Sequence, residues 1–206
     1  SPAVSPWIRY LWGHLHERQG NTGKALGHYL SVLEDLPRDP WVHLRTGILQ
    51  EQQGEQEQAL FHYKTASEAY PDSFRILFRR SIVTMNLLQE EESIRIHQKM
   101  IELRPEHALS LNNLAWMYLT AKDRSLRQPE KALELALKSV ELEATIDHID
   151  TLAEAYFQTG QTGKAIETLR KGIREASYPK SRERYLEGQY RRFRKGDTSV
   201  SPPPVS

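Results

Sequence analysis

Residues 6–39, PWIRYLWGHLHERQGNTGKALGHYLSVLEDLPRD, and residues 40–73, PWVHLRTGILQEQQGEQEQALFHYKTASEAYPDS, align end to end without a gap. Gly13 matches Gly47, Gly20 matches Gly54, Ala25 matches Ala59, and Tyr29 matches Tyr63, each pair 34 residues apart. Pro37, Pro71 and Pro105 keep the same step of 34. A fixed period of this length marks a chain built from stacked copies of one supersecondary unit. Such a unit cannot bury its apolar face alone and needs neighbours in register.

The period and its punctuation resemble the tetratricopeptide repeat. That resemblance implies small residues at repeat positions 8, 20 and 27, Gly at 15, an aromatic at 24 and Pro at 32. The first repeat, 6–39, supplies Gly13, Gly20, Ala25, Tyr29 and Pro37, with Val32 at position 27. The second, 40–73, supplies Gly47, Gly54, Ala59, Tyr63, Ala66 and Pro71. The third, 74–107, is weaker, with Ser81, Ser93, His97 and Pro105 but Leu88 where Gly is expected and Met100 at position 27. The fourth, 108–145, carries Ala115, Tyr118, Ala132 and Ser139, with about five extra residues between Thr120 and Pro129. The fifth, 146–179, restores Ala153, Tyr156, Gly160, Ala165 and Gly172, its proline displaced to Pro179. Small residues let two helices approach closely. A Gly ends the first helix in a left-handed cap. A Pro stops the second. The fold implied is all-α, a right-handed superhelical solenoid of helix-turn-helix repeats. Leu186, Tyr190 and Phe193 lie on one helical face, so 180–196 is read as a capping helix.

Composition agrees with this and removes other classes. Among 206 residues, 27% are charged and 38% hydrophobic, with a formal net charge of +1. No global field draws the chain to nucleic acid or membrane. There is no cysteine, so disulfides, thiol catalysis and cysteine zinc sites are excluded. No apolar run reaches the roughly 18 residues a membrane-spanning helix needs. Residues 1–5 and 197–206 read as Pro/Ser-rich linkers, and the missing initiator Met reads as a processed chain or one module of a longer protein. These ends lean toward a cell-envelope setting, although composition does not fix the compartment.

Several motifs reduce to architecture. Gly160-Gln161-Thr162-Gly163-Lys164 imitates part of a phosphate loop, but Gly20-Asn21-Thr22-Gly23-Lys24 repeats it at the equivalent turn. The eight histidines form no H-E-x-x-H motif, and Glu90-Glu91-Glu92 falls in a repeat turn. No catalytic constellation, metal site or cofactor motif emerges, so the chain reads as a non-enzyme; the exception would be a catalytic domain elsewhere in a longer protein. The basic stretch 180–195 carries seven Lys/Arg against two Glu, a net +5 that leaves −4 for the rest. It reads as the polar face of a cap, with an anionic-surface contact (nucleic acid or membrane) as the alternative.

The resemblance also implies a partner groove lined by positions 2, 5, 9 and 12 of each first helix. Those positions give Trp7, Tyr10 and His14; then Trp41, Leu44 and Ile48; then Arg75, Phe78 and Ile82. The last two repeats give Leu109, Asn112 and Trp116, then Asp147, Asp150 and Glu154. With Arg45 and Arg79, the groove reads as apolar at its N-terminal end, basic in the middle and acidic at its C-terminal end. Such a surface implies a protein or peptide partner with apolar side chains, an acidic group for the arginines and a basic end. The alternative is that Trp7, Trp41 and Trp116 pack between helices. The family's carboxylate clamp for chaperone tails is not reproduced. Its five positions hold Tyr10, His14, Arg45, Arg75 and Arg79, of which Arg75 and Arg79 keep the basic character. The stretches Leu111–Trp116 and Asp150–Tyr156 are similar to those of many bacterial repeat proteins. Trp7, Trp12 and Trp41 make self-association through the N-terminal end a further expectation.

Overall fold

The computed structural model describes residues 4–199; residues 1–3 and 200–206, read above as linker, lie outside them. The described residues form α1 (Pro6–Arg18), α2 (Thr22–Asp35), α3 (Pro40–Gln52), α4 (Gln56–Ala69), α5 (Phe74–Asn86) and α6 (Glu90–Leu103). They continue with α7 (Ala108–Thr120), α8 (Pro129–Leu142), α9 (Ile146–Gln158), α10 (Thr162–Glu175) and α11 (Glu183–Lys195). No strand occurs among them. The chain divides into two compact units, one up to Lys99 and one from Met100 onward.

The helix boundaries follow from local chemistry. Pro40 opens α3 behind Asp39, whose carboxylate accepts from the Trp41 and Val42 amides at 3.0 and 2.9 Å. That satisfies two of the four orphan donors at a helix start. Four first helices close in one manner. Gly20, Gly54 and Gly160 take φ of 75°, 82° and 78°. The following amide then bonds back five residues: Asn21 to His16 O, Glu55 to Gln50 O and Gln161 to Tyr156 O, at 2.8 to 2.9 Å. Leu88 adopts the same conformation, φ 55°, and Gln89 N bonds Thr84 O at 2.9 Å. The third hairpin therefore keeps the turn even though it lacks the glycine. The fourth hairpin replaces this turn with a longer link. Arg124–Leu126 form a 3-10 turn capped by Asp123, and Gln128 N bonds Tyr118 O at 3.0 Å. The extra residues thus fall between α7 and α8.

Within each hairpin a small residue sets the helix separation. A Cβ on Gly13 would lie 2.7 Å from Tyr29 Cε1, and one on Gly47 would lie 2.8 Å from Tyr63 Cε1. Neither residue can carry a side chain without moving a fully buried tyrosine. Gly172 is confined similarly, since its Cβ would meet Ile149 Cγ2 at 2.6 Å. Between hairpins the apolar side chains close ranks. Ala25, Tyr29 and Val32 of α2 pack with Val42 and Leu49 of α3. Ala59, Tyr63 and Ala66 of α4 pack with Ile76 and Val83 of α5. In the second unit, Ala153 and Phe157 of α9, Ala165 and Leu169 of α10, and Leu186 and Phe193 of α11 form one cluster. The helix anticipated from residue 180 begins at Glu183, because Lys180–Arg182 after Pro179 form a 3-10 turn.

Leu88 marks a local conflict that the fold overrides. A non-glycine residue in the left-handed region costs roughly 1–2 kcal/mol, and its side chain is largely exposed, so little packing offsets that cost. Leu88→Gly is expected to stabilise the chain by about 1 kcal/mol, a rise in Tm of about 2–4 °C in thermal melts. Gly54→Leu should lower it comparably. An unchanged or lower Tm for Leu88→Gly would mean that the leucine makes a compensating contact.

Candidate functional site

In the N-terminal unit, the first-helix residues at repeat position 2 form a row of Trp7, Trp41 and Arg75. Position 5 holds Tyr10, Leu44 and Phe78, of which Tyr10 stacks on Trp7. Trp7 is 64% and Trp41 50% exposed, far more than packing between helices would leave. Between them lies a cleft of about 230 Å³, lined by Pro6, Trp7, Tyr10, Val32, Leu36, Asp39, Trp41 and Val42. Trp7 stacks on Tyr10, centroids 5.5 Å apart, and Trp41 leans on Tyr70 at 5.3 Å. Both indoles are thereby braced on one side and open on the other. Val32, Leu36 and Val42 were missed by sequence reasoning, which looked only at first-helix positions 2, 5, 9 and 12. The end of α2 also faces the cleft.

Other expected groove residues are placed elsewhere. Leu44 and Ile48 are buried in the core shared by α3, α4 and α5, so they line no open surface. Arg45 and Arg79 are held by internal partners. Tyr29 donates to Glu17 Oε2 at 2.7 Å, and Arg45 donates to Glu17 Oε1 at 3.1 Å. One period later Tyr63 donates to Glu51, and Arg79 lies 3.5 Å from Glu51 Oε1. Burial, then the carboxylate partner, holds both phenols well above their ordinary value. Of the three arginines Arg75 is exposed, while Arg45 and Arg79 are half-buried. His14 sits beside Glu17, while Phe78 and Ile82 are half-buried.

In the C-terminal unit, Trp116 is half-buried, and Asn112 is buried with its Oδ1 lacking a partner. The acidic residues Asp147, Asp150 and Glu154 do not form an open acidic surface, because α11 and the turn before it engage all three. Arg182 donates to Asp147 Oδ1 at 2.5 Å. The Tyr185 hydroxyl donates to Asp150 Oδ2 at 2.8 Å and accepts from Gln189 Nε2 at 2.6 Å. Gln189 Oε1 accepts from Arg192 Nε at 2.7 Å, and Arg192 pairs with the fully buried Glu154. The Arg192 guanidinium also lies 4.7 Å over the Phe193 ring and 5.2 Å over Phe157. The basic helix is therefore partly an internal counter-charge. Arg182 and Arg192 are spent on α9, and Arg191 pairs with Glu187 at 3.0 Å.

Burial pushes the Asp150 carboxyl up to about 7, against the hydrogen bond from Tyr185, and nearby Glu154 adds to the rise. Burial brings together one histidine pair that the sequence left scattered: His43 Nδ1 and His62 Nδ1 lie 2.7 Å apart. His43 Nε2 faces the Pro37 carbonyl at 3.0 Å and must donate there, so its Nδ1 accepts from His62. Burial, then His43, lowers His62 to about 4. Among the described residues no group of three His, Cys, Asp or Glu is placed to hold a metal ion. No helix there is long and apolar enough to cross a membrane.

Two outcomes test the α9–α11 network. Arg192→Leu should destabilise by about 3–5 kcal/mol by leaving Glu154 buried without its partner. The double change Glu154→Leu with Arg192→Leu should recover most of that loss in urea titration. A single and a double variant of equal stability would mean that the pair is not the link. For Asp150 the folded value of about 7 lies above the ordinary 3.8. The fold therefore prefers the protonated carboxyl, and this contribution is lost as pH rises through about 7. Asp150→Asn should flatten the fall in stability between about pH 4 and pH 7; an unchanged slope would show that another group titrates there.

Family profiles of the tetratricopeptide repeat match residues 42–73 and 150–177. No curated protein matches the chain significantly. Solved structures do. MamA from Desulfovibrio magneticus RS-1 (residues 41 to the end) superposes with a TM-score of 0.68 at 18% identity, over 82% of this chain and 93% of that one. A further MamA crystal structure gives 0.69 at 17% identity, over 96% and 98%. A thermophilic TPR protein of Thermus thermophilus gives 0.54 at 18%, over 93% and 100%. At these identities the likeness carries the fold. The two matched repeats lie within a chain that shares the fold of the tetratricopeptide-repeat solenoids.

Proposed function

We infer that the chain is a protein-interaction scaffold whose N-terminal unit holds a partner segment against the row Trp7, Trp41 and Arg75. The observation that carries this reading is the open cleft between two braced, exposed indoles. Aromatic and arginine residues anchor protein interfaces, and a few of them supply most of the binding energy. A single apolar side chain, aromatic or leucine-sized, fits a cleft of about 230 Å³. Arg75, one period along the same row, offers the cation for an acidic group flanking that anchor. A basic end on the partner is no longer part of the reading, because Arg182 and Arg192 already answer the acidic residues of α9.

The alternative, an anionic-surface contact through 180–195, is weakened by the same pairs, which take two of the seven cations inward. Catalysis has no support in this geometry: the buried carboxylates and histidines face each other or a helix.

Peptide phage display on the immobilised chain tests the reading. Selected peptides should share an apolar anchor with a nearby Asp or Glu. Their affinity should fall at least about thirtyfold with Trp41→Ala, the loss expected of a hot-spot residue. Arg75→Glu should weaken them further, and Arg191→Glu with Arg194→Glu should leave binding unchanged. Peptides insensitive to Trp41→Ala and Arg75→Glu, or lost on the α11 changes, would overturn it.

A further inference from the structure

The histidine pair of the second hairpin stands where the later hairpins place no ionisable group. His43 and His62 occupy repeat positions 4 and 23, one on each helix, and are 3% and 7% exposed. In the third hairpin those positions hold Leu77 and Ile96, in the fourth Leu111 and Leu135, and in the fifth Ile149 and Thr168. Leu77 and Ile96 line a cleft with Pro71, and Ile149 and Thr168 line one with Ala144. The residue equivalent to Pro71 and Ala144 is Pro37, and its carbonyl accepts from His43 Nε2 at 3.0 Å. A line of hydrogen bonds therefore runs from α4 through α3 to the link 36–39 between α2 and α3. In the first hairpin the two positions hold Arg9 and His28, and Arg9 reaches Ser31 and Asp35 instead.

This line of bonds tolerates one protonation state. His43 Nε2 donates to Pro37, and His43 Nδ1 accepts from His62 Nδ1. A proton added to His43 Nδ1 would set two N–H groups against each other across 2.7 Å. A proton added to His62 Nε2 would leave a cation on a side chain that is buried. The Phe61 ring lies edge-on to both imidazoles, 6.2 Å from His43 and 5.2 Å from His62. Charged groups on the surrounding elements are engaged with other partners or exposed. On α2, Asp35 holds Arg9 and Glu34 is exposed. On the link, Asp39 caps α3 and Arg38 is exposed. On α3, Arg45 binds Glu17 and Glu51 binds Tyr63. On α4, Lys64 pairs with Glu92 of α6, and Glu57 and Glu68 are exposed. We propose that the His62–His43–Pro37 line is an acid-sensitive latch, which holds the α3–α4 hairpin to the α2–α3 link near neutral pH and releases it on acidification. Leu36 and Asp39 of that link line the cleft beside Trp41, so release takes a wall from the cleft. Only the effect on a bound partner rests on the reading above; the latch does not.

Burial, then His43, holds His62 at about 4 in the fold against 6.5 when freed. The preference for the closed latch is therefore complete above about pH 6.5 and is lost as pH falls toward 4. Between about pH 7 and pH 4.5 the equilibrium for opening should rise roughly fiftyfold. Amide hydrogen exchange of the whole chain, corrected for intrinsic rates, reads this at Asp39 and His43, whose amides bond Leu36 O and Asp39 O. Their protection should fall by that factor in the wild type. His43→Leu with His62→Ile installs the residues of the third hairpin and should show no such fall. Asp150 and the other titrating groups are kept in both chains, so the difference between them isolates the pair. Nitrogen NMR of the wild-type histidine rings at pH 7 should find His43 protonated on Nε2 alone and His62 on Nδ1. Equal falls of protection in the two chains, or wild-type protection that does not change with pH, would overturn the latch. So would a His43 ring protonated on Nδ1 at pH 7, whether or not the double variant folds.

Discussion

A tyrosine ring lying on a bare glycine backbone fixes the geometry of the first two hairpins, and much of the N-terminal unit follows from that contact. Gly13 and Gly47 admit Tyr29 and Tyr63 at distances no Cβ would tolerate. The ring sets the separation of the two helices. Its hydroxyl then emerges at Glu17 or Glu51, which also receives Arg45 or Arg79 from the next hairpin. One side chain thus links the spacing inside a hairpin to the register between hairpins. The stacking rests on apolar burial; the Tyr–Glu–Arg link selects one register among those that burial alone would allow. The cleft between Trp7 and Trp41 exists because that register places two first helices side by side with their position-2 indoles facing out.

The C-terminal unit solves the same stacking problem with different chemistry. Its last hairpin is covered by α11 rather than by a further repeat. Leu186 and Phe193 bury fully, but the contact is also polar, running from Asp150 through Tyr185 and Gln189 to Arg192 and Glu154. A buried pair of this kind adds little net stability over an apolar one and is costly to break from one side. It works as a lock on the orientation of α11, and Asp150, with Oδ1 unpaired, makes that lock sensitive to pH.

The repeat period carried the fold from the sequence, since each recurring spacing has a steric cause: the left-handed turn, the close helix approach, the terminating proline. Even Leu88 obeyed, because its neighbours' packing outweighs the preference of one residue. The candidate site was legible only in part. Trp7, Trp41 and Arg75, at repeat position 2, are exposed. Leu44 and Ile48 went inside, because position 5 or 9 meets the core when the following hairpin leans in. Arg45 and Arg79 looked free, because their partners Glu17 and Glu51 are 28 residues away in sequence. That pairing recurs at the same period and was visible to an inspection of acidic positions as well as small ones. The acidic row Asp147, Asp150 and Glu154 and the basic helix 180–195 were read as two surfaces and turned out to be the two halves of one contact.

Hydrogen–deuterium exchange of the whole chain, with and without a peptide selected on it, tests the account most directly. Protection is expected in the first turns of α1 and α3, at Pro6–Tyr10 and Pro40–Leu44, with α11 unchanged. Protection confined to α11, or absent from both of those first turns, would contradict a cleft built by the stacked N-terminal hairpins.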